Sequence, residues 1–97
     1  MNDICEAISG LHLISFTYDG YYRVVEPHTY GVDTKGHPAL RAYQVQGESK
    51  SGPLPADWRP FRRDKMHGVT VLQKTFAGPR DGYRKGDPLF ATIHCEL

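Results

Sequence analysis

The sequence predicts a mainly β domain: a small barrel of about five strands with one short N-terminal helix. Three observations lead there. The chain has 97 residues, enough for a single modest core and for one domain over 1–97. The spacing of apolar residues changes from helical to alternating at His12. Thereafter turn-forming pairs such as Asp19-Gly20 and Gly36-His37-Pro38 punctuate short β-prone runs. Aromatic residues at 11% and a net charge of +1 favour folding over disorder.

Asp3 to Gly10 reads as the helix. Asn2 or Asp3 can cap it, Ile4, Ala7, Ile8 and Leu11 form one apolar stripe, and Gly10 marks its end. Two or three turns are unstable alone, so this stripe must pack on the barrel. His12 to Tyr18 alternates as a first strand with Ile14, Phe16 and Tyr18 on one face. Asp19-Gly20 suits a type I′ hairpin turn, and Tyr21 to Glu26 returns as the second strand. Pro27 has no N–H to donate to a ladder and is expected to end that strand or lie at an edge.

A third strand over Leu40–Gln46 follows the turn Lys35-Gly36-His37-Pro38. Gly47 to Asp57, rich in Gly, Ser and Pro, reads as the longest loop and a mobile one. Trp58–Asp64 and Val69–Leu72 are the fourth and fifth strands, with Met66-His67-Gly68 turning between them. The barrel therefore occupies about 11–76. Residues 77–97 form a turn-rich extension in which Leu89–Cys95 can add a closing strand.

Composition excludes some functions. No apolar run approaches a membrane span, so no membrane association is expected. The first residues lack the basic and apolar regions of a secretory signal, which makes a cytoplasmic protein the expectation. In that compartment Cys5 and Cys95 are expected as buried, reduced thiols. The five histidines show no ligand spacing, so neither a metal nor a cofactor is expected. The serines lack a nucleophile-elbow context, and Glu26 and Asp64 each lie near arginines that can neutralise them, so the chain is read as non-enzymatic.

Charge is uneven along the chain. Residues 1–48 hold three basic side chains against six acidic ones, and residues 49–97 hold nine against five. The densest stretch, Trp58 to Lys65, carries Arg59, Arg62, Arg63 and Lys65 against Asp64 alone. Guanidinium groups suit phosphate because their planar donors can bond two oxygens at once. Arg23, Tyr43, Arg59, Arg62 and Lys65 are accordingly the candidate ligand-binding residues. Tyr18, Tyr22, His28 and Arg41 can extend that patch, with rings on which bases stack. Tyr83, Arg84 and Lys85 form a second basic-aromatic segment. The same cations also suit a solvated face, and an edge strand suits a dimerisation or protein-partner surface.

The order of these motifs resembles the WYL-domain family of bacterial regulatory modules. The likeness runs over residues 4–76: the helix and first strand, Arg23-Val24-Val25-Glu26-Pro27, Leu40-Arg41-Ala42-Tyr43, and Arg59-Pro60-Phe61-Arg62-Arg63-Asp64-Lys65-Met66. Pro38-Ala39-Leu40 stands where that family carries Trp-Tyr-Leu, so the resemblance is to a divergent, stand-alone form. It implies an SH3- or Sm-like barrel that senses ligands or binds nucleic acid in transcription regulation. A nucleotide or single-stranded nucleic acid would be the ligand. With no helix-turn-helix ahead of residue 4, regulation would need a protein partner.

Overall fold

The structure, a computed structural model, describes residues 3–49 and 52–97. It is mainly β: one α-helix and a curled antiparallel sheet that forms a half-barrel of about five strands. Helix α1 covers Asp3–Gly10, and strands β1 (His12–Tyr18) and β2 (Tyr21–Asp33) form the first hairpin. Asp19 and Gly20 both adopt positive φ, 53° and 81°, as the type I′ turn requires. The helix has the expected bounds, but the left-handed residue that closes it is not a glycine. Gly10 is its last residue, and Leu11 takes the left-handed conformation with φ 58°. Leu11 then packs with Leu13, Val24 and Phe76 instead of completing the helix stripe.

Strand β2 does not stop at Pro27. It runs 13 residues and changes neighbour on one side halfway along. Tyr21 to Val25 pair with β1, and Thr29 to Asp33 pair with β7 (Phe90–Glu96). Pro27 sits between these two pairings, next to a bulge in the ladder to β3 (Pro38–Ser49). The missing N–H falls where the strand changes partner, so a buried proline is tolerated there.

The stretch read as one long loop includes strand. β3 continues to Ser49, and β4 (Gly52–Pro53) pairs back onto it. Leu54 N–H also bonds the Gly47 carbonyl at 2.9 Å. Residues 50 and 51 of that expected mobile loop lie outside the described residues. Strand β5 (Asp57–Arg62) pairs with β3, and a single 3₁₀ turn at Arg63–Lys65 leads into β6 (His67–Thr75). The turn thus precedes Met66, and β6 begins at His67, one residue after it. β5 and β6 do not pair among the described residues, so the curl stays open on that side.

The main core fills the concave face. Ile4, Ala7 and Ile8 of the helix meet Ile14, Phe16, Val25, Leu40, Ala42 and Phe61. Helix α1 also lies against β7, and Cys5 and Cys95 form a disulfide with Cα atoms 5.7 Å apart. The expectation of two reduced thiols is therefore corrected. The fold brings together two residues 90 positions apart, which their sequence setting does not reveal. No helix among the described residues is long and apolar enough to cross a membrane.

Candidate functional site

Side chains alternate across β3, so Leu40, Ala42 and Gln44 face the core while Arg41 and Tyr43 face outward. On β5, Trp58 lies opposite Tyr43, and Arg59 opposite Ala42. The outward face of β2 supplies Val24, Glu26 and His28. A strap of chain, residues 76–89, lies across this outer face.

Polar contacts fasten the strap to this face. Arg80 donates from Nε and Nη2 to both oxygens of Glu26, at 2.7 and 3.0 Å, and its guanidinium lies 4.5 Å from the centre of the Tyr43 ring. The Arg80 backbone N–H donates to His28 Nε2 at 3.2 Å. Trp58 Nε1 donates to the Asp81 carbonyl at 2.9 Å. Arg41 donates to Asp87 at 2.9 Å. Burial raises the Asp87 carboxyl, but the Arg41 bond, the Leu89 N–H and the charges of Arg41 and Arg84 outweigh it and leave it below the usual range. The Arg80–Glu26 pair holds the arginine in its charged form, with the Glu26 bond the larger cause.

Between the strap and β3–β5 lies a cleft of about 320 Å³ lined by Arg41, Trp58, Gly82, Tyr83, Arg84, Asp87 and Pro88. Trp58 and Tyr83 supply its aromatic walls. Both rings rest on His28, with centroid distances of 4.6 and 5.5 Å, so the buried imidazole backs the cleft. Tyr83 is fixed by its hydroxyl, which donates to the Leu97 carbonyl at 2.5 Å. Arg84 and Lys85 are exposed beside the cleft and form no ion pair within contact distance among the described residues, though the Arg84 charge acts on Asp87 from further off. A wider groove of about 610 Å³ lies along Leu13, Val45, Lys74 and Phe76, but its arginine, Arg80, is already committed to Glu26.

The structure thus separates the residues singled out from sequence. Arg41, Tyr83 and Arg84 meet at the cleft, Lys85 flanks it, and His28 lies behind it. Tyr43 shares that face but lies beneath Arg80. Arg23, Arg59 and Tyr18 belong to the inner face, where Arg23 stands 5.7 Å from the Tyr18 ring centre. Arg62 is bound through two nitrogens to Asp64, at 3.2 and 2.8 Å, and Lys65 is exposed on the 3₁₀ turn. Tyr22 is 55% exposed beside Gly47 and Pro53. The expected single recess of Arg23, Tyr43, Arg59, Arg62 and Lys65 does not form. Adjacent residues on a strand point to opposite faces, which places Tyr43 away from Gln44 and its partner Arg23.

Sequence reasoning missed Trp58 as a wall of the cleft and Asp87 as the partner of Arg41. Neither could be found locally, because their partners lie 23 and 46 residues away. Among the described residues, no three His, Cys, Asp or Glu side chains gather as a metal site would require. Searches of protein-family models, of curated proteins and of solved structures find no match to this chain.

Proposed function

We propose that the protein is a non-enzymatic regulatory module that binds a nucleotide or a short single-stranded nucleic acid in the Trp58–Tyr83 cleft. The observation that supports this is one recess holding two aromatic walls and an exposed guanidinium, Arg84, that makes no direct ion pair among the described residues. Its volume of about 320 Å³ lies within the range of small-molecule sites. A base can stack on Trp58 or Tyr83, and a phosphate can meet Arg84 and Lys85. Arg41 is held by Asp87, so it shapes the cleft more than it supplies free charge. Single-stranded ligands suit the site better than duplex DNA, because α1 is packed against the core and is not free to enter a major groove. The motif order that resembles the WYL-domain family agrees with a ligand-sensing role, exercised on transcription through a partner protein. The proposed setting is the cytoplasm, where nucleotides are abundant. There the Cys5–Cys95 disulfide would have to persist against a pool that keeps thiols reduced.

Trp58 is the only tryptophan, so its fluorescence reports on the cleft directly. Titration with a nucleotide or an oligothymidylate should quench it, with weaker binding at ~200 mM than at ~50 mM salt. Replacing Arg84 and Lys85 together by alanine should weaken binding about tenfold and reduce the salt dependence. Absence of quenching at the lower salt concentration would overturn the proposal.

A second reading, a dimerisation or protein-interaction module, is favoured by β6. Among the described residues that strand pairs only with β1, and it leaves Val71 39% exposed. A salt-insensitive dimer on size-exclusion chromatography, with no quenching by nucleotides, would favour it.

A further inference from the structure

We infer that the inner face of the sheet carries a second site, separate from the cleft, for one small oxyanion of the carboxylate or phosphate class, centred on Arg23. The main observation is a buried charge without a counter-charge. Arg23 is 7% exposed, yet no carboxylate lies within ion-pair distance of it among the described residues. Arg41, Arg62 and Arg80, all more exposed, each have one. The partners of Arg23 are neutral: the Gln44 side-chain oxygen at 3.1 Å, the Tyr18 carbonyl at 3.3 Å and the Tyr18 ring. A guanidinium withdrawn from water without an anion is strongly destabilising, so native proteins rarely leave one so.

Donors around it go unmet, and the carboxylate across from Gln44, Asp57, is exposed and accepts from the Trp58 N–H instead. Arg23 Nε, Gln44 Nε2 and Arg59 Nε are all buried nitrogen donors with no hydrogen-bond partner among the described residues. The Gln44 amide cannot be turned to repair this. Its oxygen already accepts from Arg23, and the reverse orientation would set N–H against N–H. Gln44 is 1% exposed, so bulk water does not reach it.

Register places the three donors on one face. Arg23 bonds Gln44 directly, and Arg59, opposite Ala42, lies one diagonal step from Gln44 on the concave side. Gly47 is the register partner of Arg23. A Cβ there would fall 2.4 Å from Gln44 Nε2 and 3.2 Å from Arg23 Cδ, so only glycine leaves room for these side chains. A ligand matching the cluster must accept hydrogen bonds and carry negative charge. A water molecule could occupy the donors but would leave the charge uncompensated.

The test uses the full chain and two probes, inorganic phosphate and acetate, against chloride at matched ionic strength. At least one probe should raise the thermal midpoint in a saturable way and shift the NMR signals of Arg23 Nε–H and the Gln44 amide, while Trp58 fluorescence stays unchanged. The probe that acts distinguishes the phosphate from the carboxylate arm. Arg59→Gln, which leaves Arg23 and the core in place, should weaken that response at least tenfold. Gln44→Glu supplies the missing carboxylate from within, so it should raise the midpoint without any anion and abolish the response. No saturable effect of either probe, or a response unchanged in both variants, would overturn the inference. Loss of nucleotide binding at the cleft would not bear on it.

Discussion

Arg80 grips both oxygens of Glu26, at 2.7 and 3.0 Å, while its guanidinium lies over the ring of Tyr43. Glu26 is 5% exposed and belongs to the central strand, so the Arg80 side chain ties the strap to the middle of the sheet. The aromatic walls of the cleft depend on that attachment, since Tyr83 lies three residues further along the strap.

Removing the guanidinium should therefore cost more than a surface ion pair. Arg80→Ala leaves the Glu26 carboxylate buried with no charged partner, and we expect a loss of about 2–3 kcal/mol in urea unfolding. This is below the range for a fully buried pair, because the Arg80 side chain is 46% exposed. Adding Glu26→Gln to that variant should restore part of the loss. A double variant less stable than Arg80→Ala alone would show that the carboxylate is not the liability.

His28 predicts the response to acid. Its Nδ1 donates to the Glu26 carbonyl at 2.7 Å and its Nε2 accepts from Arg80 N–H, which fixes the neutral ring. Burial lowers its pKa most; the Glu26 carbonyl and carboxylate pull it up, and Arg80 lowers it further. The unfolded chain then takes up a proton near pH ~6.5, before the folded one does. Stability should fall as pH drops from about 7 to about 5, by at most ~1.4 kcal/mol per unit. His28→Gln should flatten that slope in unfolding measured across the interval, whatever it does to the absolute stability.

The disulfide closes a loop spanning nearly the whole chain, so its chief effect is to restrict the unfolded state. Cys95→Ser should lower stability by about 3–5 kcal/mol. Dithiothreitol should act on the native protein to a similar extent and should leave Cys95→Ser unaffected. Equal unfolding midpoints with and without reductant would show that the bridge contributes nothing.

Gly31 lies where β7 crosses β2 at close range. A Cβ at that position would fall 2.0 Å from the Thr92 carbonyl oxygen and 2.9 Å from Ile93 Cα. Both neighbours are backbone and cannot rotate away. Gly31→Ala should cost about 3 kcal/mol or more and should release β7, seen as faster amide exchange at residues 90–96.

Features governed by near neighbours were legible in the sequence. The helix over residues 3–10, the first strand and the Asp19-Gly20 turn all depend on contacts within a few positions. Pro27 misled because its tolerance depends on β7, supplied some sixty residues later. The disulfide was hidden for the same reason, and an argument from cellular compartment pointed the other way. Alternation along a strand puts Trp58 and Pro60 on one face of β5 and Arg59 and Phe61 on the other. It could not show that Asp64, Asp87 and Glu26 would each take one of the arginines, or that Arg23 would be left without an acid.

The double pairing of β2 also bears on how the protein is made. Its first half can zip to β1 as soon as the hairpin leaves the ribosome, but its second half waits for residues 90–96. Until translation reaches them, Thr29 to Asp33 offer one row of unmatched amides and carbonyls to any passing strand. A nascent chain stalled short of that point should bind holdase chaperones, and the finished one should let them go.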